Sequence, residues 1–291
     1  LADKSDLKTA NLNLNAAYRV NEWVAVGFGF NIVRAEAELT ATVPANTTLP
    51  LPPQLGGPQN LSGRGVADLS GDDWGYGWNV GLIAEPAEGT RLGLSYRSSV
   101  DLSLEGRAKS ELFAGTRSAV NPNALNFNST ASVDVELPAI WEASISQRFT
   151  PNWSVQASAV RVEWDSFQEL AFDLDNGAPF PATPEHWENS WRYALGTTYQ
   201  LDSTWTLRAG VLKDESPVAD QHRTLRIPDS DRLWYTIGAG WKVSDALSID
   251  AGYAYLDGDK ADLNESTGSG RFTGEMSGSA QIVSMQANYR F

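Results

Sequence analysis

Few of the side chains that could act as acid, base or nucleophile fall into a working arrangement. The sequence has two histidines, His186 and His222, and no cysteine among its 291 residues. A lipid hydrolase built on a membrane wall needs a serine and a histidine within hydrogen-bond reach of each other. Both histidines instead fall in polar connections, beside Trp187 and Arg223, where an imidazole is ordinarily a surface residue. No HExxH or GxSxG occurs, and GFGFNI from Gly27 does not complete a dinucleotide fingerprint. Adjacent carboxylates such as Asp72 and Asp73 read as loop charges, a loop calcium site being the alternative. Without cysteine there is neither a thiolate metal site nor a disulfide framework. These residues point to no enzyme, no cofactor and no resident metal, and the formal charge of −14 argues against nucleic acid as a partner.

The elements explain why binding is the better reading. Mean hydropathy is −0.32, and no run approaches the roughly 18 apolar residues that would cross a bilayer as a helix. The periodicity is two. Leu12, Leu14, Ala16 and Tyr18 alternate with Asn11, Asn13 and Asn15; Val24, Val26, Phe28, Phe30 and Ile32 alternate with Ala25, Gly27, Gly29 and Asn31. Each reads as a strand with one greasy and one wet or small face. The pattern continues at Trp74 to Leu82, Leu92 to Tyr96, Val133 to Ile145, Ser154 to Phe167, Trp191 to Tyr199, Trp205 to Leu212, Leu233 to Val243, Leu247 to Tyr255 and Met276 to Phe291, giving about eleven strands. Short turns flanked by aromatics, such as Tyr18 and Trp23, Phe149 and Trp153, or Tyr199 and Trp205, alternate with long polar connections. A soluble sandwich shows the same alternation, but not this regular change of loop length beside an aromatic belt. The terminal stripe Val283, Met285, Ala287, Tyr289 and Phe291 resembles the signal read by the outer-membrane insertion machinery.

The fold class expected is therefore all-β: a transmembrane antiparallel β-barrel formed by residues 1–291 as a single domain. Unpaired backbone groups in hydrocarbon cost several kcal/mol each, so the sheet must close. Eleven strands is an odd count for a barrel of this kind, and the chain begins mid-pattern at Leu1 without a signal-peptide pattern. Both features lead to the expectation that amino-terminal strands are missing. Counting back from a periplasmic Phe291 makes the connections at Thr40 to Asp72, Glu105 to Ser129, Asp175 to Glu188, Asp214 to Asp231 and Asp257 to Gly274 extracellular. The first holds Leu49, Leu51 and Leu55, and the second Leu112, Phe113, Leu125 and Phe127. These apolar loop residues could line a landing groove for a greasy ligand, or pack on themselves.

The stretch from Glu215 to Asp259, ESPVADQHRTLRIPDSDRLWYTIGAGWKVSDALSIDAGYAYLDGD, resembles the same region of the FadL family of outer-membrane long-chain fatty acid transporters. The resemblance extends to DKSDLKTANLNLNAAYRVNEWVAVGFGFN, to NSWRYALGTTYQLDSTWTLRAG and to the final NYRF. It implies a fourteen-stranded barrel in which this chain supplies eleven, a hatch and a kinked early strand lying outside the sequence, capture of ligand between the third and fourth loops, and lateral release into the bilayer. It also implies a Gram-negative outer membrane as the location. The partners implied are fatty acids or hydrocarbons, membrane lipid and lipopolysaccharide, and the insertion machinery, with the chain acting as a monomer. A fatty acid's carboxylate calls for a cation. By parity Arg97, Arg192 and Arg208 face the lumen, since a lipid-facing Arg costs roughly 2–4 kcal/mol. Lys213 sits at a family-like position near the extracellular rim. The alternative for these cations is a ladder of lumen charges with Asp134, Glu136, Glu142 or Asp250, and Arg34, Glu36 and Glu38 depart from the basic strand end that the family leads one to expect. Uptake of aromatic or alkane hydrocarbons by the same route, a lipid hydrolase and a polar-solute porin are the alternatives.

Overall fold

The computed structural model describes residues 2–42, 48–49, 58–60, 65–111, 126–175, 182–224, 227–267 and 270–290. The wall is one antiparallel sheet. Its members are β1 (Ala2–Arg19), β2 (Val24–Thr42), β3 (Gly65–Ala87), β4 (Thr90–Arg97), β5 (Val100–Glu111), β6 (Asn126–Leu137), β7 (Ile140–Thr150), β8 (Trp153–Val162), β9 (Ser190–Gln200), β10 (Trp205–Asp214), β11 (Arg232–Lys242) and β12 (Leu247–Gly258). A hairpin of β13 (Ala261–Thr267) and β14 (Gly270–Met276) then precedes β15 (Ser279–Tyr289), which pairs with β12. β4 with β5, and β6 with β7, are each one strand broken by a two-residue bend. Counted that way, and leaving out a two-residue rung at Asp173–Leu174, the sheet has eleven wall strands among the described residues. Its two ends, β1 and β15, are not paired with each other.

Register keeps the two faces apart. Leu14 pairs with Phe30 and Tyr18 with Val26, while Asn13 pairs with Asn31 and Asn15 with Gly29. On the far side of the sheet Ile237 pairs with Tyr253 and Gly238 with Gly252. Bulky apolar residues thus stand exposed on the convex face, Ile237 at 64% and Met285 at 80%, as a wall in contact with lipid requires. Glycine, serine and polar side chains crowd the concave face, where curvature leaves least room.

Two aromatic belts mark the height of the membrane. The lower includes Phe149 against Trp153 at 5.1 Å, and Trp205 stacked on Trp241 at 5.7 Å with planes 6° apart. The upper runs Trp78, Tyr96, Trp141 with centroids 5.2 and 4.4 Å apart. Trp141 pairs with Arg161 of β8, eight residues along from Trp153. At about 3.3 Å per residue and a tilt near 40° the belts lie roughly 20 Å apart, close to the ~25 Å apolar band of outer-membrane barrels. Losing one member of the stacked lower pair should matter: Trp241→Ala is expected to cost about 1–2 kcal/mol and Trp241→Phe little, read by urea unfolding in lipid vesicles.

Above the upper belt the structure departs from the sequence-based expectation. The strand predicted over Val133 to Ile145 is two strands, broken at Pro138 and Ala139; proline has no N–H to give the ladder. Its neighbour breaks at Ser98 and Ser99. Much of what was expected to be connection is strand: β2 runs on to Thr42, β3 starts at Gly65, and β5 occupies Val100–Glu111. The connection expected at Asp257 to Gly274 contains the β13–β14 hairpin, whose Lys260 ammonium lies 2.7 Å from Glu275, a hydrogen bond and charge that raise the lysine's pKa. The outward faces of these extensions are charged, with Lys4 on Glu38 at 2.5 Å and Arg34 on Glu36 at 3.0 Å, so the apolar stripe stops although the backbone ladder continues.

The bends turn a face over. Tyr96, Leu94 and Leu92 point outward, but Val100, Leu102 and Leu104, in the same parity, are buried on the concave side; Trp141 is outward and Val133 buried in the same way. At the bend Trp78 and Ser98 exchange hydrogen bonds, and the Asp73 carboxylate accepts the Ser103 N–H at 2.7 Å. The ladder between β3 and β5 resumes at Asp72 and Glu105. In between, β5 lies on Gly75 and Gly77: a Cβ on Gly75 would meet Val100 Cγ1 at 2.3 Å. The β5–β6 hairpin therefore tucks its apolar face into the top of the trough.

Candidate functional site

That hairpin closes an apolar chamber at the end of the concave face above the upper belt. Val33 and Ala35 of β2, Val100, Leu102 and Leu104 of β5, Val133 of β6 and Leu170 form one buried cluster, and Leu69, Ala108, Ala131 and Leu174 a second. Leu39 and Phe172 pack against both. Leu170, Phe172 and Leu174 come from the connection between β8 and β9, where their i, i+2, i+4 spacing is the signal the sequence offers for them.

Below the chamber the concave face is polar. Asn31, 1% exposed, accepts from the Asn13 amide at 2.9 Å and donates to Asn79 at 3.0 Å, while Asn13 also donates to Asn79 at 2.8 Å. Asn11 and Asn15 extend the ladder along β1. Gly29 makes room for it, since a Cβ there would lie 2.6 Å from the Asn79 side-chain oxygen. Asn31→Ala is expected to cost about 1–3 kcal/mol by leaving its partners short of hydrogen bonds, with β1 lost first from the sheet, as hydrogen exchange would report. Lower still is an open cavity of about 940 Å³ whose lining includes Glu142, Gln156, Arg208, Thr236 and Asp250.

The four candidate cations differ in their partners. Arg192 donates from Nε to Asp214 at 3.1 Å, Arg208 from Nη1 to Asp250 at 2.9 Å, and Lys213 to Glu215 at 3.1 Å with Asp231 at 3.7 Å. Arg192 and Arg208 lie on the concave face. Lys213 pairs across the ladders with Tyr193 and Leu233, on the outward face. Arg97 is also concave, opposite Asn79 and Ile140 and three residues below Val100, and among the described residues it has no carboxylate partner. Of the apolar loop residues, Leu51, Leu55, Leu112, Phe113 and Leu125 lie outside the described residues. Leu49 and Phe127 are described in backbone only, paired with Gln59 and Ser110.

At the rim, Asp214 is buried between two guanidiniums, with Arg232 at 3.3 Å on its other oxygen. Arg232 reaches Asp229 at 3.5 Å, whose side chain accepts from Ser216 at 3.0 Å. This network ties the β10–β11 connection down over the barrel. Asp214→Ala leaves both arginines without their shared partner and is expected to cost about 2 kcal/mol, with trypsin gaining access to Arg232. The two histidine rings meet at 4.7 Å with their planes tilted by 55°; His186 also stands 3.4 Å from the Gln168 side chain.

All 291 residues match the family described as outer membrane protein transport protein (OMPP1/FadL/TodX). A long-chain fatty acid transport protein of Escherichia coli O6:H1 is 34% identical over 99% of this chain, which covers 68% of that protein. The crystal structure of a Pseudomonas aeruginosa FadL homologue superposes with a TM-score of 0.85 at 25% identity, over 99% of this chain and 69% of the other. The toluene transporter TbuX of Ralstonia pickettii, at 19% identity and a TM-score of 0.64 over 98% of this chain and 68% of its own, shares the fold.

Proposed function

The chain belongs to the OMPP1/FadL/TodX family of outer-membrane transport proteins and lies in the outer membrane of a Gram-negative bacterium, and we propose that it carries long-chain fatty acids across that membrane by passive diffusion, without catalysis. The observation that carries this reading is an apolar chamber at one end of the trough, closed and filled by its own side chains, with Arg97, which has no carboxylate partner among the described residues, just below it. An acyl chain leaves water for the chamber at about 0.8 kcal/mol per buried methylene, while its carboxylate needs a cation not already neutralised. A polar-solute porin would set opposed charges where this trough sets Val33, Leu102 and Val133. The naming of a 34% identical relative as a fatty acid transporter supports the same substrate.

On this reading residues 1–291 act as one transmembrane domain and as a monomer. Ligand is captured at the extracellular loops, Leu49, Leu51, Leu55, Leu112, Phe113, Leu125 and Phe127 among them, passes the chamber and leaves sideways into lipid. The charged rows above the upper belt face lipopolysaccharide, and the outward stripe of β15 is offered to the insertion machinery. The test is growth of a transporter-deleted strain carrying the gene, on oleate and on toluene. Growth restored on oleate is the expected result; rescue on toluene alone would transfer the assignment to hydrocarbons, and failure on both with normal insertion would overturn transport.

A further inference from the structure

The apolar chamber is full. Between Leu39, Leu69, Leu104, Ala131, Val133 and Phe172 there remains a cavity of about 20 Å³, room for about one water molecule. No acyl chain can enter until something leaves, and the elements around the chamber are not equally able to leave. β2 is held to β3 along Val24–Thr42, and β5 to β6 along Val100–Glu111. Gln168 is fastened to Asp165, Glu185, His186 and Trp187 by four hydrogen bonds, but the stretch beyond it, from Glu169 to Asp175, is held by short pairings. Glu169 and Leu170 pair with Pro184 and Thr183, Asp173 and Leu174 with Ser132 and Ala131, and Asp175 adds its N–H to the Thr130 carbonyl at 3.1 Å and its carboxylate to the Thr130 hydroxyl.

We propose that this stretch is a displaceable plug: Leu170, Phe172 and Leu174 occupy the surface on which an acyl chain binds, and they lift off it as the ligand arrives. The proposal rests on the fatty-acid reading for its ligand and adds to it the part of the molecule that moves. Apolar side chains give way to an apolar chain, so the chamber wall is never exposed to water and the exchange is nearly balanced in free energy. A polar solute cannot make that exchange, and the plug is then a selectivity device as well as a closure. The ends of the connection are held. Trp187 packs edge-on to Trp164 and Phe167, each at 4.9 Å, at the start. On the return His186, in the left-handed region with φ 48°, packs at a tilt against His222 of the β10–β11 connection. Movement is therefore confined to the middle.

The chain has no cysteine, so a pair introduced as Ala131→Cys and Leu174→Cys, directly opposite in register, can be oxidised without competing thiols. In outer membranes carrying the full chain, oxidation should lower uptake of radiolabelled oleate at least tenfold and dithiothreitol should restore it. Linked protein that takes up oleate as fast as reduced protein overturns the plug. If the reduced pair admits toluene and not oleate, the fatty-acid reading fails, while a fall in toluene uptake on oxidation still supports the plug. Should the pair fail to insert, Phe172→Ala decides. A plug residue competes with ligand, so its loss should tighten oleate binding several-fold; weaker or unchanged binding would make Phe172 an ordinary lining residue and overturn the proposal.

Discussion

Arg97→Ala should lower oleate uptake about thirtyfold and leave toluene uptake within about twofold. A charge-assisted hydrogen bond to a carboxylate contributes roughly 2 kcal/mol, and 1.4 kcal/mol is a factor of ten. The selectivity follows from what surrounds the other cations. Arg192 and Arg208 already spend their charge on Asp214 and Asp250, so replacing either removes a structural pair and should slow both ligands alike. Arg97 has no such partner among the described residues, and its removal costs only what the ligand supplied. Arg97→Lys keeps a charge but loses the planar fork and should retain part of the oleate uptake. Equal loss of oleate and toluene in Arg97→Ala would show a structural role and exclude Arg97 as the carboxylate's partner.

How much of this was readable in the sequence depends on which solvent a residue meets. Within the membrane, lipid on one side and water on the other force a period of two, and Ile237 against Gly238 or Leu14 against Asn15 announce their faces. Arg208 and Asp250 can be placed on the same face from parity alone, because each strand keeps its phase between the belts, but parity does not say which of Asp134, Glu136, Glu142 and Asp250 the arginine meets. Above the upper belt both sides are wet or packed on protein and the rule lapses. Val33 and Ala35 point inward beside Arg34 and Glu36, and nothing in that alternation says that the β5–β6 hairpin will cover them. The bend at Pro138 was hidden by a coincidence of phase. Val133, Val135 and Leu137 face in, Trp141, Ala143 and Ile145 face out, yet all share one parity, so a single strand is the simplest reading of a segment that turns over in the middle. The plug was missed for a related reason: Leu170, Phe172 and Leu174 alternate over too few residues to stand out from a loop.

That same turned-over hairpin is where the fold is most easily broken. Gly106→Ala should be the most disruptive single methyl in the described sheet, costing about 3 kcal/mol. Gly106 pairs with Gly71 where the β3–β5 ladder resumes after the bend, and a Cβ there would lie 1.7 Å from the Ser70 carbonyl oxygen and 2.6 Å from the Gly71 Cα. Both are backbone atoms within a hydrogen-bonded ladder, so neither can swing aside as a side chain would. The methyl must part β5 from β3, and with it Leu104 and Ala108 from Leu69 and the rest of the chamber. The barrel wall between the belts does not contain this contact. Gly106→Ala should therefore still insert, and lose the chamber rather than the membrane fold: oleate uptake falls, and trypsin reaches Arg107 and Lys109, which the native ladder protects. Gly278→Ala is the matched control, for a Cβ there meets nothing within 4 Å. If Gly106→Ala binds oleate normally and resists trypsin as the native chain does, the hairpin does not need its tight seat on β3, and the chamber would have to be held by the β5–β6 pairing and the plug alone.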